Sequence, residues 1–232
     1  MLSSLFVRFF ALVCMASVPH HVPVSQANGY VFPADIDKGL GLKADAKDAF
    51  YVPHLMLDDE INGSTVDKLI GEINQANTDH ASSILIEIDS PGGSVMDGMR
   101  LQKVIERSEA PVVCVIDGMA ASMAFSVEQS CSVRAMTSRS FLMMHEPSGQ
   151  VAGQPTKVSN GLALMKVLTN AMIEHCRART NMSFADFKSK IIDGREFWVD
   201  HFISEQYHIT DLTVPSVASV EKALKQGCKL IP

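Results

Sequence analysis

The fold of this chain is most tightly constrained by the alternation of short apolar runs with helical patterns between Phe50 and Val214. Ile84 to Ile88, Val112 to Ile116, Val133 to Met136 and Phe141 to Met144 are too short for buried helices and read as strands. Phe50 to Leu57 reads as an earlier strand, ended by Asp58-Asp59-Glu60. Between the runs, Val66, Leu69, Ile70 and Ile73 follow an Asn62-Gly63-Ser64 cap at helical spacing, and Val95, Met99, Val104 and Ile105 mark a second amphipathic helix. A short small-residue helix is expected from Ala120 to about Glu128, and a long one from about Thr156 to Arg179. Ser183 caps a helix carrying Phe184, Phe187 and Ile191, and a last helix runs from Asp200 to Tyr207 before an exit into a short strand ending at Val214. Strands alternating with helices imply right-handed crossovers, a largely parallel sheet and an α/β fold.

The segment Val115-Ile116-Asp117-Gly118-Met119-Ala120-Ala121-Ser122-Met123-Ala124 carries the strongest chemical signal. A serine at a strand-to-helix turn is rigidly held, with its hydroxyl near the positive end of the helix dipole. His145 stands at the end of the run Phe141 to Met144, and Asp89-Ser90-Pro91-Gly92-Gly93-Ser94 is a glycine turn after an apolar strand. A nucleophile, a base and a loop with free N–H groups are the parts an acyl-transfer site needs.

The chain has 232 residues, 47% of them hydrophobic, enough for one domain with a full core. A formal net charge of −6 gives no electrostatic footprint for nucleic acid or an anionic membrane. In residues 1–27, Arg8 precedes an apolar stretch from Phe9 to Val18, a length suited to a signal-peptide core rather than a membrane span. Ser25-Gln26-Ala27 then predicts cleavage after Ala27 and export to the periplasm or medium, or a membrane anchor if the signal stays uncleaved. The mature cysteines, Cys114, Cys131, Cys176 and Cys228, show no metal-ligand spacing, so neither a metal nor a cofactor is expected. Cys114 reads as a small core residue. Export would permit disulfides, which the sequence alone does not pair.

Four segments in order resemble the ClpP-like serine peptidases of the Clp/crotonase fold: Ile88-Asp89-Ser90-Pro91-Gly92-Gly93-Ser94, Asp117 to Ala124, Met143-Met144-His145-Glu146-Pro147, and Phe197-Trp198 through Asp211. The resemblance covers about Phe50 to Asp211. It implies a spiral of ββα units with a long handle-type helix, a peptidase domain over 50–214, an N-terminal arm over 28–49 and a C-terminal tail over 215–232.

It further implies that Ser122 is the nucleophile, that His145 is its base, and that N–H groups of Gly93 or Gly92 and of Met123 receive the oxyanion. Counting back from Asp211 puts Glu196 at the triad-acid position, with Asp193 as the alternative. The substrate is a peptide or unfolded protein, laid as an added strand between the Gly92-Gly93 loop and the turn before the long helix. Family members form homo-oligomeric rings, with the long helix at an interface.

Two departures bear on partners. Glu146 stands where a glutamine is usual, and the N-terminal region does not resemble the segment that meets an unfoldase. An exported chain has no ATP and works without an AAA+ ATPase. A cytosolic chain would be a Clp proteolytic subunit that needs one. A non-catalytic assembly protein and acyl-CoA chemistry complete the alternatives. A Ser–Lys pair using Lys157 or Lys166 is disfavoured by His145 at the family position.

Overall fold

A computed structural model of the chain describes residues 13–14 and 50–229. The expected signal peptide and arm lie outside the described residues, apart from a two-residue strand, β1 (Val13–Cys14), paired antiparallel with β9 (Cys228–Lys229).

The elements follow the expected alternation. Strand β2 (His54–Leu57) leads to helix α1 (Gly63–Thr78), β3 (Ile84–Ser90) to α2 (Val95–Glu106), and β4 (Val112–Ala121) to α3 (Met123–Glu128). Next come β5 (Val133–Thr137), β6 (Phe141–Met144), the long α4 (Pro155–Arg177) and α5 (Phe184–Ile191). The chain then forms β7 (Phe197–Val199), α6 (His201–Tyr207), β8 (Leu212–Val214) and α7 (Val217–Lys225). Caps set several boundaries. Asn62 accepts N–H bonds from Ser64 and Thr65 while Thr65 answers with its hydroxyl, a reciprocal capping box. Ser94, Ser183, Asp200 and Ser216 cap their helices without that reciprocal bond, each side chain accepting a backbone N–H.

The sheet runs β2-β3-β4-β5-β8, all parallel, and β6 pairs with the far end of β4 and, antiparallel, with β7. This is the α/β architecture that the sequence resemblance implied. The main core lies between the sheet and α1 to α5, where Ile73, Ile86, Leu101, Ile116, Phe125, Ile173 and Phe187 are sealed from solvent. A second core on the opposite face joins Leu85, Val113, Val115 and Ala135 to Val217, Val220 and Leu224 of α7. The stretch read as a C-terminal tail therefore carries a helix that covers one face of the sheet. No helix among the described residues is long and apolar enough to cross a membrane.

Cys114 corrects its reading as a simple core residue: it is disulfide-bonded to Cys131, across a sequence separation of 17. Both sulfurs are buried. Cys228 is also disulfide-bonded, whereas Cys176 is free and buried, and that burial pushes its thiol up to about 12.

Candidate active site

Strand β4 is longer than its apolar run. Ala120 and Ala121, expected to open a helix, pair instead with Leu142 and Met143 of β6. The chain then reverses direction at Ser122, which has φ 53° and ψ −116°, and α3 starts at Met123. A non-glycine residue at positive φ costs about 1–3 kcal/mol and persists only where its surroundings enforce it. Here the Ser122 N–H donates to the Met143 carbonyl at 2.7 Å, and its own carbonyl accepts from Ser126. The hydroxyl is thus held at the top of the turn.

His145 follows directly on β6, so the β4–β6 register carries it to the same place. Its Nε2 lies 2.7 Å from Ser122 Oγ, a hydrogen bond between residues distant along the chain. A serine hydroxyl becomes a competent nucleophile when a base stands within such reach. With Nε2 accepting from the hydroxyl, the ring hydrogen of the neutral imidazole sits on Nδ1.

The glycine loop is packed against this turn. Gly92 has φ 89°, and a Cβ there would lie 2.4 Å from the Ala121 oxygen and 2.8 Å from the Met123 nitrogen. Only glycine permits that approach. The Gly92 N–H, however, donates to Ser90 Oγ at 3.2 Å, so its candidacy as an oxyanion donor is corrected: it supplies closeness, not a free N–H. Gly93 forms a parallel bridge with Ile61 through its neighbours, the Ile61 N–H donating to the Gly92 carbonyl and the Ser94 N–H to the Ile61 carbonyl. The N–H groups of Gly93 and Met123 meet no protein acceptor among the described residues. They are the two candidate donors for a developing oxyanion.

The two acid candidates are not on the histidine. The Glu196 carboxylate accepts from the Trp198 indole N–H at 2.9 Å; Asp193 is held through its backbone N–H, which donates to the Glu146 carboxylate at 3.1 Å, and its own carboxylate makes no hydrogen bond to the ring among the described residues. Among the described residues the His145 ring has Ser122 as its one hydrogen-bonding partner, so the acid position of the expected triad is not engaged in this arrangement. The β6–β7 ladder still explains why Glu196 is a candidate. Its last register pair is Met144 with Phe197, and continuing that register one step past the end of the ladder would bring Glu196 opposite His145.

Several supporting residues carried weaker signals in sequence. Asp89 accepts the Met119 N–H at 2.9 Å and fills the space beside Gly118, holding the turn before the nucleophile. Ser140 donates to the Ile116 carbonyl and accepts the Gly118 N–H. Ser90 sits in the Ser-Pro-Gly-Gly motif, where a hydroxyl next to a turn is a usual partner for a backbone N–H. His175 is half-buried and reaches Ser130 Oγ and the Ser126 carbonyl; burial holds it below the usual imidazole range. It lines a cavity of about 180 Å³ with Met99, Gln102 and Glu106, which does not include Ser122 or His145. No cluster of metal-ligating side chains occurs among the described residues.

Residues 45–211 match the family model for Clp protease. The chain belongs to the Clp protease family. It is 32% identical over 214 residues to ATP-dependent Clp protease proteolytic subunit 2 of Prochlorococcus marinus (strain MIT 9312), covering 88% of this chain and 96% of that one. Proteolytic subunit 1 of Protochlamydia amoebophila (strain UWE25) is 29% identical over 172 residues, 72% of this chain and 82% of the relative. Proteolytic subunit 1 of Chlamydia pneumoniae is 32% identical over 139 residues, 57% of this chain and 71% of the relative. The chain is a ClpP-like serine peptidase.

Proposed function

We propose that this chain is a serine endopeptidase that cleaves extended peptides and unfolded proteins without an ATPase. The contact between Ser122 Oγ and His145 Nε2 carries the reading. His145 takes the hydroxyl proton as Oγ attacks the peptide carbonyl carbon, and the carbonyl π pair moves to oxygen. The Gly93 and Met123 N–H groups receive that oxyanion, a contribution of about 3 kcal/mol per donor in other serine peptidases. His145 then returns its proton to the leaving amine, and water repeats the cycle on the acyl-enzyme. Glu196 orients and stabilises the charged imidazole. The substrate adds as a strand beside the Gly92-Gly93 loop, held by main-chain bonds, which makes side-chain specificity loose.

Export is part of the ATP-independent reading. A buried disulfide, Cys114–Cys131, is usual in oxidising compartments and rare in the cytosol. Ring assembly with further copies of the chain is supported by Leu162, Leu164 and Val167, which are 56%, 57% and 63% exposed on α4.

The names of the relatives favour a second reading, a proteolytic subunit fed by an AAA+ ATPase. Purified chain incubated with an unstructured protein substrate and no nucleotide separates the two. Hydrolysis that Ser122→Ala abolishes supports the first reading. Hydrolysis that appears only with an ATPase and ATP supports the second, and turnover unchanged by Ser122→Ala rejects both. The mature N-terminus, read by mass spectrometry, tests export: Asn28 supports it and Met1 opposes it.

A further inference from the structure

We propose that the Glu196 carboxylate has two stations, the Trp198 indole N–H and the His145 ring, and that Trp198 holds it off His145 until the imidazole becomes charged. The proposal deepens the serine-peptidase reading and rests on it.

The β6–β7 pair has two distinct faces. Leu142, Met144, Phe197 and Val199 are buried on one. Phe141, Met143 and Trp198 are partly or largely exposed on the other, with Trp198 directly opposite Met143. Side chains alternate along a strand, so His145 follows Met143 and Glu196 precedes Trp198 on this outer face. Residues directly opposite in an antiparallel pair have Cβ atoms about 4.5–5.5 Å apart, within the swing of a glutamate side chain. The carboxylate nevertheless lies on the indole, at 2.9 Å.

Two donors therefore compete for one carboxylate. In the resting dyad both are neutral N–H groups, the indole Nε1–H and the imidazole Nδ1–H. The balance changes during acylation. When Ser122 gives its proton to Nε2, the ring carries a positive charge, and the imidazolium then adds a Coulomb attraction for the carboxylate that the neutral indole cannot supply. Glu196 then exchanges the indole for Nδ1–H of the imidazolium. It gains no proton; it changes its hydrogen-bond partner and stabilises the charge. When His145 hands its proton to the leaving amine, the indole recovers the carboxylate. Trp198 is in this account a positioning residue that acts through Glu196.

Trp198 is the single tryptophan of the chain, so its emission reports on the exchange without interference. A peptide boronate, which forms a tetrahedral adduct on the serine next to a protonated histidine, is the probe. The wild-type chain should change its emission on adduct formation, and Glu196→Gln, whose neutral amide has no reason to leave the indole, should not. Trp198→Phe keeps the ring and the register but removes the competing donor; it should raise kcat severalfold with KM little changed, and adding Glu196→Gln should erase that gain. An unchanged emission on a boronate-inhibited wild-type chain, or a Trp198→Phe chain with equal or lower kcat, overturns the proposal while leaving the peptidase reading intact. A chain that neither hydrolyses peptides nor binds the boronate through Ser122 removes the peptidase reading, and the proposal with it.

Discussion

Arg134 and Asp211 form an ion pair sealed inside the protein, with side chains only 1% and 2% exposed and a guanidinium Nη2 to carboxylate distance of 2.6 Å. The same carboxylate accepts the Arg134 backbone N–H at 2.8 Å, and a second guanidinium nitrogen donates to Gln129. The pair fastens β5 to the start of β8 and ties both to the C-terminal end of α3, the helix that begins beside Ser122.

Asp211→Asn should therefore be strongly destabilising. Removing one partner leaves a buried charge uncompensated, a cost of about 3–5 kcal/mol. Urea denaturation followed by circular dichroism checks it; a midpoint matching wild type would show that the pair contributes little.

Glu128 should make stability depend on pH. Burial pushes its carboxyl up to about 8 from an ordinary 4.5, and its Oε1 has no hydrogen-bond partner among the described residues. Because the folded state holds the proton more tightly than the unfolded state, stability is greatest below the unfolded value. It falls as pH rises from about 4.5 to about 8 and is flat beyond. Glu128→Gln should lose that slope and be the more stable chain above pH 8. Denaturation midpoints across that range should diverge, and parallel curves would contradict the prediction.

Gly92→Ala should leave the fold and remove most of the activity. The added methyl meets the Ala121 oxygen at 2.4 Å and must displace the nucleophile turn or the donor loop. Loss of one oxyanion donor costs about 100- to 1000-fold in related chemistry, and displacement here should reach the lower end of that range. A kcat/KM within a few-fold of wild type would show that the loop is not part of the site.

The Cys114–Cys131 bridge closes a loop that contains Ser122. The double change Cys114→Ala, Cys131→Ala should lower stability by about 3 kcal/mol, the chain-entropy value for a loop near this length. Intact mass under non-reducing conditions with thiol alkylation checks the bond itself. Alkylation of both cysteines in the unfolded, unreduced chain would exclude it.

Much of the fold was legible because burial leaves a pattern in sequence. The central strands Ile84–Ser90 and Val112–Ala121 read as apolar runs since both faces are covered, and Asn62 and Ser183 announced their helices. What depends on long-range pairing was not legible. The start of α3 moved to Met123 because β6 captures Ala120 and Ala121. Strand β7 is three residues long and exists through its pairing with β6, which brings the Glu196 end of β7 toward the His145 end of β6. Helix α7 was legible but passed over: Ser216 caps it, and Val217, Val220 and Leu224 stand at helical spacing. In the site, Ser122, His145 and the glycine loop were evident from residue type and order. The diversion of Gly92 to Ser90 and of Glu196 to Trp198 depends on side-chain geometry that no motif encodes.

The central claim is that His145 activates Ser122. The most direct test is fluorophosphonate labelling of the purified chain, mapped by peptide mass spectrometry, for wild type and His145→Gln. The account predicts a single modified residue, Ser122, in wild type and a loss of labelling rate of at least about 1000-fold in the variant, with an unchanged circular dichroism spectrum. Modification at another residue, or equal labelling rates in the two chains, would contradict it.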